Sequence, residues 1–228
     1  MTPMQDRLLD AALPHVPFEG WSAATMRQAI ADAGVTPAQG RAAFPRGGAD
    51  LALAFHRRGD EAMATRLAGE DLSEMRFRDR IAHAVRVRLE IAGEEPEAVR
   101  RGVTLFALPI HAADGTRAVW GTADAIWTAL GDTSDDVNWY TKRATLAGVY
   151  SATLLYWLGD RSEGHAETWG FLDRRIDDVM RIEGIKAQVR KSPLLSRMMV
   201  GPNLVLSRIR APLRPPRGDL PGMWRKPE

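Results

Sequence analysis

A chain of 228 residues, 45% hydrophobic and 26% charged, carries enough apolar material for a core and has the balance of a soluble globular protein. It contains no cysteine, which excludes disulfides, thiolate-bound zinc, iron–sulfur clusters and thiol nucleophiles. The net charge of +2 conceals an asymmetry: residues 186–228 carry ten basic and two acidic side chains, against 21 basic and 27 acidic over residues 1–185, so a basic end suited to a polyanion follows an acidic body.

Apolar positions recur at helical spacing almost throughout, and no convincing period-two strand is present, so the fold expected is all-α. The predicted helices are 3–13, 22–33, 37–43, 48–68, 74–92, 95–110, 116–130, 135–158 and 165–183, with an amphipathic segment near 191–210. Breakers punctuate them at Pro14–Pro17, Gly34, Pro45–Gly48, Gly93–Pro96, Asp114–Gly115, Gly131–Ser134, Gly159–Gly164 and Gly184. Residues 211–228 hold five prolines without periodicity and read as disordered. No apolar run approaches the roughly 20 residues of a bilayer span. The first ten residues lack the pattern of a signal or transit peptide, so the chain is expected in the cytoplasm.

Residues 7–58 resemble the N-terminal module of TetR-type regulators, with the pair ATMRQAIADAGV and TPAQGRAAF joined around Gly34 as a helix-turn-helix. A DNA reader must present hydrogen-bonding groups to base edges and cations to phosphates. The second helix offers only Gln39 and Arg41 for that work. The module therefore reads as a degenerate scaffold without a nucleic-acid partner. The alternative is a TetR-type transcriptional regulator with a lipid effector.

Five of the seven tryptophans lie in residues 118–180, at Trp120, Trp127, Trp139, Trp157 and Trp169. Large rings interleaved with Ala and Gly, as Tyr140, Leu146 and Tyr150 are with Ala144, Ala147 and Gly148, leave lateral gaps that a flexible apolar chain can occupy. Leu105, Phe106 and Leu108 on the preceding helix supply a compatible wall. Each buried methylene of such a chain would contribute about 0.8 kcal/mol. Enzymatic readings find little support. The five histidines show no ligand spacing, and GxSxG, P-loop and GxGxxG patterns are absent. No catalytic residue, metal or cofactor is expected, although a lipid-modifying enzyme stays open as a second rival.

The runs ADAIW (123–127), DTSDDVNWYTKRATLAGVY (132–150) and TWGFLDRRIDDVM (168–180) resemble the signature of the accessory lipid-binding family of coenzyme Q (ubiquinone) biosynthesis, that of the ninth COQ protein. The resemblance extends over about residues 5–185. It implies a TetR-like helical bundle that holds an isoprenoid quinone or precursor lipid. It also implies a di-iron demethoxyubiquinone hydroxylase as partner, for which Leu155, Tyr156 and Trp169 form the candidate docking surface. Those three residues equally suit a homodimer interface, and a homodimer is the expected state.

On a helical wheel of residues 194–209, Leu194, Leu195, Met198, Met199, Val205 and Leu206 form a narrow apolar arc edged by Arg197 and Arg208. That composition suits an interfacial helix on an anionic membrane surface, peripheral on its inner face. A helix docked on the protein's own body or on a dimer mate is the competing explanation. The chain thus divides into a helix-turn-helix-like module with its connecting helix (1–68), a lipid-binding bundle (69–185) and a basic amphipathic helix with a disordered tail (186–228).

Overall fold

The computed structural model describes residues 1–191 and 210–212, with side chains described through residue 181 and again at 210–212. Among these residues the chain forms ten α-helices and two short 3-10 turns, with no strand. The start of α1 (Pro3–Ala12) shows why the first helix begins where it does. Thr2 accepts from the Gln5 backbone N–H at 3.3 Å, and the Gln5 side chain accepts from the Thr2 N–H at 3.1 Å, which satisfies two otherwise orphaned donors. After a 3-10 turn comes α2 (Val16–Glu19), then α3 (Ala23–Asp32), α4 (Pro37–Ala43) and the long α5 (Gly48–Ala68). The segment Pro14–Pro17 was expected to break the chain. It does end α1 at Ala12, and both prolines then sit in the first turns of two short helical pieces, where the missing N–H costs nothing.

The remaining helices are α6 (Phe77–Ala92), α7 (Pro96–Phe106), α8 (Ala112–Ala129), α9 (Val137–Gly159) and α10 (Ala166–Lys191). Two other expected breaks fail. Asp114 and Gly115 lie in the first turns of α8, where the buried Asp114 carboxylate accepts from Arg46 and Arg117 at 2.7 Å each and complements the positive end of the helix. Gly184 lies inside α10, since a lone glycine costs only about 1 kcal/mol and does not stop a helix. Conversely, the helix expected to reach residue 110 ends at Phe106, before Pro109.

Two buried clusters result. Leu8, Leu9, Val16, Trp21, Met26 and Phe44 pack with the first half of α5. Residues of α6, α8, α9 and α10, among them Val85, Ile126, Trp157 and Ile176, pack with Met63 and Leu67 from its second half. The Trp21 indole donates to the Ala98 carbonyl on α7 at 2.9 Å and ties the front helices to the bundle.

The α8–α9 corner is held electrostatically. Gly131, in the left-handed region at φ 78°, ends α8 in a Schellman turn: its N–H donates to the Thr128 carbonyl, and that of Asp132 to the Trp127 carbonyl. The turn delivers the Asp132 carboxylate to Lys142 at 2.7 Å and to the fully buried Arg143 at 3.0 Å. Arg143 also donates to Asp124 and lies 4.1 Å from the centre of the Trp139 ring.

Removing Asp132 leaves much of a buried guanidinium charge uncompensated, so Asp132→Ala is expected to lower stability by about 3 kcal/mol in urea denaturation. Burial alone would raise the Asp132 pKa, but hydrogen bonds from Lys142, Arg143 and Ser134 hold it well below the ordinary range. A group whose pKa is depressed on folding stabilises the fold above its unfolded value and loses that contribution as pH falls. The wild type should therefore lose stability below about pH 4 more steeply than Asp132→Ala does.

Candidate functional site

Between α5, α6, α7, α8 and α9 lies a cleft of about 580 Å³, within the range of small-molecule sites. Its origin is local. On α7, Val99, Val103 and Phe106 recur at helical spacing and face inward, while Val119 and Trp120 of α8 form the opposite wall. Where these helices meet α9, Ala147 and Gly148 contribute almost no side chain, so the walls do not close. The exposed Leu155 stands at the rim.

The floor is polar. Arg88 of α6 is only 4% exposed, and its Nε donates to Asp60 at 2.7 Å while Nη2 donates to the His56 carbonyl at 3.1 Å. Thr122 of α8 donates to the same Asp60 oxygen at 2.9 Å, and the His56 ring lies 2.8 Å from the Thr122 hydroxyl. The guanidinium reaches this position because residue 59 has no side chain; a Cβ there would lie 2.8 Å from the Arg88 Cζ. Burial lowers the His56 pKa despite Asp60, so the ring is neutral at neutral pH. Burial also raises the pKa of Tyr150, keeping that phenol protonated. Arg88 retains its charge: burial opposes it, and the Asp60 carboxylate at 2.7 Å supports it.

Of the sequence-predicted lipid contacts, Phe106, Trp120 and Tyr150 come together on this cleft. Leu105 instead packs against the front cluster, and Leu108 is exposed past the end of α7. Trp127 and Leu146 line a separate groove of about 270 Å³ formed with Phe77, Ile176 and Met180. Tyr140 sits beside Trp120 and Trp139, with ring centres 6.4 and 4.8 Å away, and its hydroxyl donates to the Arg210 carbonyl at 3.3 Å. Among the predicted docking residues, Tyr156 stacks on Phe171 at 4.6 Å. The Trp169 indole donates to the Gly164 carbonyl at 2.8 Å and lies under the Arg86 guanidinium. The predicted membrane contacts Leu194, Leu195, Met198, Met199, Val205, Leu206, Arg197 and Arg208 lie outside the described residues. In the helix-turn-helix, the Gln39 side chain accepts from the Thr36 N–H at 2.8 Å as part of the α4 cap, so one of the two side chains that could have met a base edge is engaged within its own helix.

Sequence reasoning missed the floor. A signal was present: Ile81, Val85, Arg88 and Ala92 share one stripe of α6, so Arg88 falls among buried positions, and Gly59 interrupts a long helix between His56 and Asp60.

Residues 112–183, which contain Trp120, the α8–α9 corner and Tyr150, match the family model described as COQ9. The chain is 35% identical over 191 residues to the mitochondrial ubiquinone biosynthesis protein COQ9 of Drosophila melanogaster, covering 80% of this chain and 57% of that protein. Its identity to the Rattus norvegicus protein of the same name is 32%, covering 83% of this chain and 62% of that protein. For the Homo sapiens protein the figures are 30%, 83% and 61%. Over most of its length the chain is similar to these COQ9 proteins. It spans between 57% and 62% of the length of these three COQ9 proteins. A TetR transcriptional regulator from Nitrosomonas europaea superposes with a TM-score of 0.62 at 22% identity, covering 77% of this chain and 97% of that one. The fold is accordingly TetR-like and all-α.

Alanine has the higher helix propensity, yet Gly59→Ala should destabilise the protein, because the added methyl displaces Arg88. A loss of about 1–3 kcal/mol is expected in urea denaturation. Unchanged or increased stability would show that the guanidinium does not need the gap.

Proposed function

We propose that the chain is a non-catalytic accessory protein of ubiquinone biosynthesis that binds an isoprenoid quinone intermediate in the bundle cleft. In this reading it presents the lipid to a di-iron demethoxyubiquinone hydroxylase at a membrane. The observation that carries the reading is the cleft itself, walled by apolar and small side chains and bringing Phe106, Trp120 and Tyr150 together. The names of the COQ9 relatives support the pathway. The non-catalytic role is supported by the way His56, Asp60 and Arg88 are engaged with one another and with Thr122 at the cleft floor.

Among the described residues no helix is long and apolar enough to cross a membrane. The proposed attachment is peripheral, through the apolar arc and arginines of residues 194–209 on an anionic inner face. The named relatives are mitochondrial; this chain would act from the cytoplasmic side. The proposed division sets a front module of residues 1–68 beside a bundle of residues 69–185, with residues 186–228 as the membrane-contact region, and α5 joins the first two by contributing to both buried clusters. Leu155, exposed at the rim beside Tyr156, offers the hydroxylase, or a second copy of the chain in a homodimer, a surface next to the lipid's exit. Trp169 would extend that surface onto α10.

Gly148→Phe tests the cleft directly. A Cβ at Gly148 meets nothing within 4 Å, so the ring can enter the open space without a backbone clash. Native mass spectrometry and solvent extraction of the purified wild type should reveal a polyprenyl lipid. The variant should lose it, with polyprenyl quinone affinity reduced by about tenfold or more and an undiminished thermal midpoint. A wild type that neither carries nor takes up polyprenyl lipid would end this reading.

A further inference from the structure

The cleft floor contains donors that the fold does not use. Tyr150 is 1% exposed and lines the cleft, yet its hydroxyl makes no hydrogen bond among the described residues. Four buried polar atoms of the described residues are sealed in without a partner: Arg78 Nε, Trp127 Nε1, Arg143 Nη2 and His165 Nδ1. The Tyr150 oxygen is not one of them, and Tyr150 lines the cleft. Arg88 lines the same floor, with Nε and Nη2 engaged and Nη1 without a hydrogen bond among the described residues. A phenol donor without a partner and a buried guanidinium, both lining one cleft beneath apolar walls, call for an acceptor on the end of an apolar molecule.

The charge balance narrows the class of acceptor. Arg88 is already neutralised by Asp60 at 2.7 Å. His56 is held neutral by burial, so the floor has no net charge to offer an anion. A phosphate brought here would have to leave water without a counter-charge, whereas a ketone or ether oxygen costs far less to dehydrate and gains the donors it meets. We infer that Tyr150 and Arg88 form a head-group subsite that binds the uncharged, oxygen-bearing ring of an isoprenoid lipid and discriminates against the same tail carrying a phosphate. This inference rests on the lipid-binding reading above and adds a direction to it: the ring is held at the floor and the tail runs between α7 and α8 towards the rim.

Equilibrium dialysis of the full chain with three probes of equal tail length tests the assignment. The probes are a ubiquinone with two isoprene units, geranyl diphosphate, and the ring-free hydrocarbon 2,6-dimethylocta-2,6-diene. Wild type should retain the quinone best. Tyr150→Phe removes only an unpartnered hydroxyl and should keep the thermal midpoint, while weakening quinone binding on the order of five- to tenfold. Its hydrocarbon binding should be unchanged. The subsite is overturned if the variant binds quinone as well as wild type, if quinone and hydrocarbon weaken equally, or if wild type prefers the diphosphate. A wild type that retains none of the three overturns the lipid-binding reading itself, and the subsite with it.

Discussion

A guanidinium cannot leave water without compensation costing several kcal/mol, and the centre of this molecule is arranged around one that has done so. Arg88 meets the Asp60 carboxylate and the His56 carbonyl of α5, and Thr122 of α8 donates to the same Asp60 oxygen, so three helices are joined through one ion pair. The gap at Gly59 follows from the same requirement, since any larger residue would collide with the ion. These contacts fix the spacing of three helices below the cleft. An apolar residue at position 88 would let α5 and α6 close together, and the walls above would follow. The cavity is thus maintained by a polar floor, while small side chains higher up keep it open.

The segment that matches COQ9 contains both a wall of the cleft and its support. Trp120 stands on the cleft while its ring packs 5.9 Å from Trp139, and Trp139 in turn covers Arg143. The Schellman turn at Gly131 places Asp132 against that arginine. An aromatic wall is therefore backed by a buried ion cluster rather than by loosely packed aliphatic chains. Such backing resists collapse, because slipping the rings would break charge-assisted hydrogen bonds in a low-dielectric setting.

Much of this architecture was legible from residue spacing. Helical periodicity gave the elements, and the density of rings and small residues between 118 and 180 indicated where the bundle is hollow. Three of the named contacts, Phe106, Trp120 and Tyr150, meet on one cleft, because they face its interior from helices that cross there. Trp127 shares a stripe with Trp120 but lies about 10 Å further along the axis, two turns on, and it lines a different groove. Spacing along a helix cannot separate those two outcomes, since they depend on where the neighbouring helices cross. The polar floor escaped notice for a related reason. Its members come from positions 56, 60, 88 and 122, which only tertiary packing brings together. Glycine misled where it sat in a first turn or inside a long helix, positions at which its usual penalty is small.

Because α5 contributes to both buried clusters, the front module is not a detachable appendage. Phe55 borders the cleft on one side and meets Trp21 of the front cluster on the other, with ring centres 5.4 Å apart. Any molecule seated in the cleft leans on a residue that also holds the first four helices in place. Filling the cavity and keeping those helices folded then draw on a single free energy by mass action. The first four helices thereby act as a clamp on the far side of the cavity, fastened to it through one shared ring.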